Sequence, residues 1–237
     1  MPALFVTGTD TGVGKTVITA LLTRSLRNLG ADCVAMKPFA SGCERNNDGV
    51  LESEDAAFLR SIGGFDVPAE LVCPIQLEPP LAPLVAAQQN GLDTRDWPRK
   101  ARAAFDELTS RYEWVLVEGV GGWAVPLWQR DDGSIATCAD LVSEWDLPVV
   151  VVARRTLGTI NHTTLTCRAV RASAKLHGVI FCDSLPVEGD DIAAHTSPQI
   201  SCTLAQTREL AFVPYANSWD EAARALEPFA RELLGMK

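Results

Sequence analysis

Short apolar runs alternate along this chain with longer stretches in which apolar residues return every three or four positions. Ala3-Leu-Phe-Val6 is the first run, and Val17 to Leu26 carries the first helical period. Asp32-Cys-Val-Ala-Met-Lys37 reads as a second strand entered through Gly30, and Asp55 to Arg60 as a short helix. Leu71 to Gln88 holds Pro74, Pro79, Pro80 and Pro83, which predicts a loop running into a short helix. Trp97 to Arg111 sets Ala101, Ala104, Phe105 and Leu108 on one helical face. Trp114-Val-Leu-Val-Glu118 and Leu147 to Ala153 are near-continuous apolar runs, as expected of parallel strands buried on both faces. Asn161 to Lys175 reads as a helix, Gly178-Val-Ile-Phe181 and Leu210-Ala-Phe-Val213 as strands, and Asp220 to Leu234 as a closing helix. Glu188 to Ser201 has no readable period and is expected to be a surface excursion. Alternation of this kind predicts an α/β fold: an open parallel sheet with helices on both faces, forming one domain over residues 1–237.

Composition narrows the classes. A hydrophobic content of 47% and a charged content of 22% are ordinary for a soluble globular domain. The net charge of −9 argues against a nucleic-acid binder or a protein of anionic membrane surfaces. The strongest apolar run, Leu147 to Ala153, is far too short to cross a bilayer. Met1-Pro-Ala-Leu4 lacks the charged flank of a secretory signal. Cys33, Cys43, Cys73, Cys138, Cys167, Cys182 and Cys202 form no C-x-x-C pair, and their odd number suits reduced thiols. A cytoplasmic location is therefore expected.

The candidate chemistry begins between the first strand and the first helix. Gly8-Thr-Asp-Thr-Gly-Val-Gly-Lys-Thr16 is a glycine-rich turn in the strand–turn–helix context of a phosphate-binding loop. Such a turn aims main-chain N–H groups and the positive end of the helix dipole at an anion. The stretch Gly12, Val13, Gly14, Lys15, Thr16 and Val17 would cradle the phosphates, with Lys15 on the outer ones and the Thr16 hydroxyl on Mg²⁺. Five residues separate Gly8 from Gly14, one more than in the usual pattern. A turn without ligand would need neither the lysine nor the threonine.

Three further groups extend this site. Glu118 ends a buried strand and runs into Gly119, with Gly121-Gly122 beyond, at the sheet edge where ligands of such folds bind. It reads either as a metal ligand or as an acid capping neighbouring main chain. Asp55, at a helix start, serves the helix dipole on the sequence alone. Lys37 ends the second strand, and Lys37-Pro-Phe-Ala-Ser-Gly42 ties it to a rigid turn with the Ser41 hydroxyl, which suits a second anion contact.

These segments together resemble the dethiobiotin synthetase family. The glycine-rich loop with its extra residue, Lys37 to Gly42, Asp55, Trp114 to Gly122 and Leu157-Gly-Thr-Ile-Asn-His162 are similar to family segments in the family's order. The resemblance implies a P-loop nucleotide-binding fold and an enzyme that uses ATP and Mg²⁺. It implies carboxylation of 7,8-diaminopelargonate by CO₂ (bicarbonate in solution) and closure of a ureido ring through a carbamic-phosphoric anhydride. By the same resemblance Lys15 and Lys37 flank the transferring phosphoryl group, while Thr16, Asp55 and Glu118 hold the metal. Thr11 and Ser41 bond the carbamate or diamine end of the substrate. Gly158, Thr159, Ile160 and Asn161 bind the substrate's tail carboxylate from a partner subunit, which implies a homodimer. Without the resemblance, that last segment is a plain strand–helix turn with Asn161 as the helix N-cap, and His162 is a packing or hydrogen-bonding residue. Trp123 suits either the substrate's alkyl channel or the core.

The chain also departs from the family. Cys182-Asp183 stands where the best-known members place Asn-Asp, and a thiol cannot supply the amide's paired donor and acceptor to adenine. Relaxed base selectivity is the expected result. Val213-Pro214-Tyr215 resembles the second base-contacting loop, and Glu221 is the weaker choice for the ribose. Pro80-Leu-Ala-Pro83 lacks the hydroxyl and nearby histidine of some members, and Gln129 to Ser134 reads as an insertion near the active-site edge. Two other classes use a similar loop. Partition and septum-positioning ATPases carry a lysine early in the loop, where this chain has Asp10, and commonly a membrane-binding tail. Cobyrinate-type amidating ligases need a glutaminase domain, for which 237 residues are expected to leave no room.

Overall fold

The computed structural model describes residues 2–183, 186–187 and 191–236. Six parallel strands form the central sheet: β1 (Ala3–Gly8), β2 (Cys33–Met36), β3 (Trp114–Gly122), β4 (Val149–Ala153), β5 (Leu176–Cys182) and β6 (Glu209–Val213). Their spatial order is β6-β5-β4-β1-β3-β2. Every residue of β1, β2 and β4 is buried, on both pleat faces, so helices must cover the sheet on both sides. That is why these strands read as unbroken apolar runs. From β1 the chain passes over β3 to the edge strand β2, returns to β3, then crosses to β4 on the other side of β1. The reversal opens a crevice at the carboxyl ends of β1, β3 and β4, which is where ligands of doubly wound sheets bind.

Local chemistry sets the element ends. Helix α1 (Lys15–Asn28) starts on Gly14, whose φ of 100° is a left-handed conformation that glycine adopts without steric cost. The start is earlier than the apolar period from Val17 indicates, because the first turn belongs to the glycine-rich loop. Helix α2 (Glu54–Gly63) is capped by the Ser53 hydroxyl, which accepts from the Ala56 N–H at 3.2 Å, and it stops at Gly64 with φ of 72°. It is accordingly longer than the expected Asp55–Arg60. The Pro-rich stretch holds more structure than a loop: helix Ala69–Val72, strand Ile75–Leu77 pairing in parallel with Phe39–Ser41, and helix Pro83–Gln89. The amphipathic helix α3 spans Trp97–Arg111 as expected.

Several sequence expectations are corrected. Helix α4 runs Thr159–Arg171 from a left-handed Gly158, so Asn161 lies inside it and is not its N-cap. The closing helix breaks into Trp219–Arg224 and Glu227–Leu233, because Pro228 in the first turn of the second piece has no N–H to continue the first. Ile192–Leu204 forms helix α5, capped by Asp191. Residues 188–190 of the unreadable segment lie outside the described residues. The helix Cys138–Trp145 has no counterpart in the sequence reading. Gln129 to Ser134, read as an insertion, turns the hairpin Pro126–Gln129/Ile135–Thr137, and Arg130 anchors it on Asp140 and Glu144 at 2.9 and 3.2 Å. Trp123 is buried against Phe5, ring centroids 6.3 Å apart, so it belongs to the core and not to a channel.

Gly119 makes the passage from the buried strand to the crevice possible. A Cβ there would stand 2.7 Å from Cζ of the fully buried Phe5. Gly119→Ala is therefore expected to destabilise the protein by about 1–3 kcal/mol through overpacking, read as a lower urea midpoint at unchanged slope.

Candidate active site

The glycine-rich loop closes over the end of β1. Gly12 and Gly14 have φ of 70° and 100°, the left-handed geometry that turns successive N–H groups inward to form an anion cradle. Lys15, at the start of α1, folds back so that Nζ donates to the Asp10 carbonyl at 2.9 Å across the loop. Burial pushes the pKa of Lys15 down, partly offset by Glu118. Val13 points its side chain into the core, so it offers this cavity only main chain.

Beside the loop, groups far apart in sequence meet. The cavity measures about 410 Å³ and is walled by Thr11, Gly12, Gly14, Lys15, Thr16 and Val17 of the loop, Lys37 and Ser41 beyond β2, Asp55 of α2, and Glu118, Val120 and Gly121 of β3. Lys37 Nζ donates to Glu118 Oε1 at 2.8 Å and also pairs with Asp55 Oδ2. The Thr16 hydroxyl lies 2.8 Å from Glu118 Oε1 and 3.1 Å from Asp55 Oδ1. Burial alone would lower the pKa of Lys37, but Glu118 and Asp55 outweigh it and hold the ammonium above its ordinary range. Burial likewise pulls Asp55 upward, yet Lys37 and the Thr16 hydroxyl prevail and its carboxyl sits below the ordinary value. Asp55 thus does more than serve the helix dipole.

Two details of this cluster invite a hard cation. A hydroxyl has one proton and cannot donate fully to both carboxylates, whereas a metal would take lone pairs from all three groups. Glu118 Oε2 is buried with no hydrogen-bond partner among the described residues, a costly state for a carboxylate oxygen. No group of three or more His, Cys, Asp or Glu among the described residues could hold a metal by itself. A pair of carboxylates with one hydroxyl fits Mg²⁺, which keeps waters and shares phosphate oxygens instead of taking an all-protein cage.

The other predicted site residues lie outside this cavity. Gly119 packs on Phe5. Cys182 ends β5 behind the loop, its Sγ 3.0 Å from where a Gly14 Cβ would be, and burial pushes its thiol pKa up to about 12. Asp183 gives its carboxylate to Arg155 (Nε to Oδ1, 3.0 Å), whose guanidinium also stacks 3.9 Å from the centroid of Phe212. The Asp183 N–H bonds the Val213 carbonyl at 3.0 Å, which sets the β5 and β6 ends side by side. Pro214 and Tyr215 follow, both exposed, and Glu221 is exposed in the first turn of its helix. Gly158 to Asn161 open α4, where the Thr159 hydroxyl bonds the Arg154 carbonyl at 2.6 Å and Asn161 and His162 face outward. A larger cavity, about 530 Å³, lies at the amino ends of the strands beside Phe105 and Trp145, away from every predicted site residue. Ligands of this architecture bind at the carboxyl ends of the strands, so the smaller cavity is the candidate site.

Sequence reasoning missed Arg154. Its Nη2 donates to the Thr11 carbonyl at 3.2 Å, placing a cation against the loop. The signal was present: Arg154 follows the last residue of a buried strand, as Lys37 does.

Comparison with known proteins places these features. An AAA domain family model matches residues 2–223. The ATP-dependent dethiobiotin synthetase BioD of Thermodesulfovibrio yellowstonii is 41% identical over 214 residues, covering 89% of this chain and 88% of that protein. The protein of the same name from Anaeromyxobacter dehalogenans is 40% identical over 227 residues, covering 95% and 96%. Among solved structures, the MinC:MinD cell division protein complex of Aquifex aeolicus matches with a TM-score of 0.60 at 14% identity, covering 100% of this chain and 97% of that one. A ParA family ATPase from Chlorobium tepidum gives 0.51 at 12% identity, covering 100% and 93%. At such identities the structural likeness speaks for the fold alone.

The Asp183–Arg155 pair generates a test of its own. Both side chains are largely buried, so Asp183→Ala leaves an uncompensated guanidinium. The expected loss is roughly 3 kcal/mol of stability, measured by urea unfolding.

Proposed function

The chain belongs to the AAA domain family and, within it, to the ATP-dependent dethiobiotin synthetases, and from that premise we propose that the cavity beside the glycine-rich loop closes a ureido ring at the expense of ATP. The observation that carries this reading is the meeting of Lys15, Thr16, Lys37, Asp55 and Glu118 around one space. An amine of 7,8-diaminopelargonate takes up CO₂ and loses a proton to give a carbamate. The carbamate oxygen attacks the terminal phosphorus of ATP, ADP leaves, and a carbamic-phosphoric anhydride remains. The neighbouring amine then attacks the carbonyl carbon, phosphate departs with the bonding pair, and the ring is closed. Phosphoryl transfer asks a protein mainly for position and charge. Lys15 and Lys37 place two cations where the carbamate and phosphoryl oxygens approach each other. Thr11 and Ser41 offer hydroxyls to the carbamate or diamine end. Main-chain N–H groups from Gly12 to Val17 hold the phosphates, with Gly119 and Gly121 leaving room at the strand end. Thr16, Asp55 and Glu118 would hold Mg²⁺, which when bound neutralises phosphate charge.

The remaining assignments have lighter support. Cys182, Asp183, Val213, Pro214, Tyr215 and Glu221 lie around the β5 and β6 ends and suit the nucleoside. The Gly158 to Asn161 turn frees N–H groups at the start of α4 for the substrate's tail carboxylate. Leu157 beside it is 93% exposed, which supports a partner subunit closing over that end in a homodimer. All seven cysteines are free and buried, which supports a reducing, cytoplasmic setting. No helix of the described residues is long and apolar enough to cross a membrane. The whole chain works as one ligase domain on small molecules.

The switch-ATPase alternative shares the fold and makes no metabolite. Incubation with the diamine, bicarbonate, Mg²⁺ and ATP, followed by mass spectrometry, is expected to yield the cyclic urea; nucleotide hydrolysis without that product would overturn the reading. Lys37→Ala is expected to lower kcat by ~10²-fold or more while weakening triphosphate binding less than about fivefold. Lys15→Ala should weaken both, since its charge meets the phosphates in the ground state too. With a thiol at Cys182, kcat/KM values for ATP, CTP and GTP are expected within roughly a hundredfold of one another, and an ATP preference of ~10⁴ would refute relaxed selectivity.

A further inference from the structure

The ammonium of Lys37 lies where a bound metal would have to lie. It is 2.8 Å from Glu118 Oε1, pairs with Asp55 Oδ2, and shares both carboxylates with the Thr16 hydroxyl. Lys37 is 5% exposed and Glu118 0%, so water offers these charges little relief. Local charge is balanced: Lys15 and Lys37 against Asp55 and Glu118. A dication added to this arrangement would leave two uncompensated positive charges in a buried space, a heavy electrostatic penalty. It also could not reach Glu118 Oε1 and Asp55 while the ammonium bonds both.

We infer that Lys37 is a tethered cation occupying the seat of the metal in the nucleotide-free protein, and that it excludes free divalent ions until a triphosphate arrives. The triphosphate brings about four negative charges at neutral pH and resolves both obstacles. It neutralises the incoming dication, and it gives the displaced ammonium a new anionic partner at the phosphoryl group. Lys37 therefore reaches its working position only when metal and nucleotide are both in place. One residue thereby enforces the order of assembly, and both the buried Glu118 and the partly exposed Asp55 always have a counter-cation. This rests on Thr16, Asp55 and Glu118 being the metal's ligands, as proposed above.

The test uses Mn²⁺, followed by the electron paramagnetic resonance signal of the free ion and by the thermal midpoint. Wild-type protein without nucleotide is expected to take up no Mn²⁺, whereas Lys37→Met should bind about one ion per chain, at least tenfold more tightly, and gain thermal stability from it. Equal uptake by the two proteins overturns the inference, whether both bind or neither does. A separate arm judges the underlying reading: with a non-hydrolysable triphosphate, Mn²⁺ should raise the wild-type midpoint beyond the nucleotide alone, and Asp55→Asn should abolish that increment. If the increment is absent, the metal site itself is misassigned; if it is present while Lys37→Met gains nothing, only the tethered-cation role fails. Should Lys37→Met not fold alone, Mn²⁺ or ethylammonium is expected to restore it, and failure of both overturns the inference.

Discussion

The organisation of this protein depends on a carboxylate buried within β3, which continues past Glu118 to Gly122 and so does not end where the apolar run does. Glu118 is inaccessible to water, one residue beyond the apolar run Val115-Leu-Val117. An isolated charge in that position would be intolerable, and it persists only because cations and donors converge on it from other parts of the chain. Lys37 comes from the end of β2 and the Thr16 hydroxyl from α1. β2 and β3 are hydrogen-bonded neighbours and β3 also pairs with β1, so the sheet order brings the charged groups together. Fold and site are thus one constraint: the crossover that sends the chain to the sheet edge before β3 is what delivers Lys37 to Glu118.

Glycine makes the second half of the arrangement possible, by different means at different positions. In the loop, Gly12 and Gly14 supply left-handed backbone that lets N–H groups face an anion. At the strand end, Gly119 supplies absence of volume, because Phe5 occupies the space that a methyl group would need. The first is a conformational requirement and the second a packing one. Gly12 and Gly14 line the cavity, whereas Gly119 packs behind it. Cys182 against Gly14 shows how closely the sheet backs the loop, leaving little room for a larger residue on either side.

Much of this was legible in the sequence, for physical reasons that also explain what was not. Doubly buried strands have no polar face, so β1, β3 and β4 stood out as apolar runs; the end of the first marked the loop, and the end of the second apolar run marked Glu118, although β3 itself continues to Gly122. Lys37 was found because strand ends are where ligands gather. From its own surroundings Asp55 reads as a dipole acid, and only the family resemblance sets it beside a metal, since nothing local announces a partner 18 residues away in sequence; the fold reveals the ion pair. The strand Ile75–Leu77 escaped because prolines dominate its surroundings and its pairing with Phe39–Ser41 is non-local. The helix Cys138–Trp145 escaped because its eight residues give barely two turns of period, and a side-chain capping box between Thr137 and Asp140 sets its start. Arg154 obeyed the rule that found Lys37 and was still overlooked.

The likeness to cell-division and partition ATPases sharpens what the fold does and does not decide. At 14% identity the comparison shares the fold alone, and a fold does not fix the chemistry done on it. A protein that uses ATP as a switch needs its surroundings to respond to the terminal phosphate. A ligase needs a second substrate beside that phosphate, and charge to bring two anions together. In this cavity Lys37, on a segment the loop does not encode, adds a second cation, and Ser41 four residues later adds a hydroxyl. The turn Lys37-Pro38 makes this placement rigid, since the ring of Pro38 restricts the conformation of the lysine before it. What sets this cavity apart from a glycine-rich loop alone therefore comes from the end of β2 and from within β3, and the loop is its least specific part.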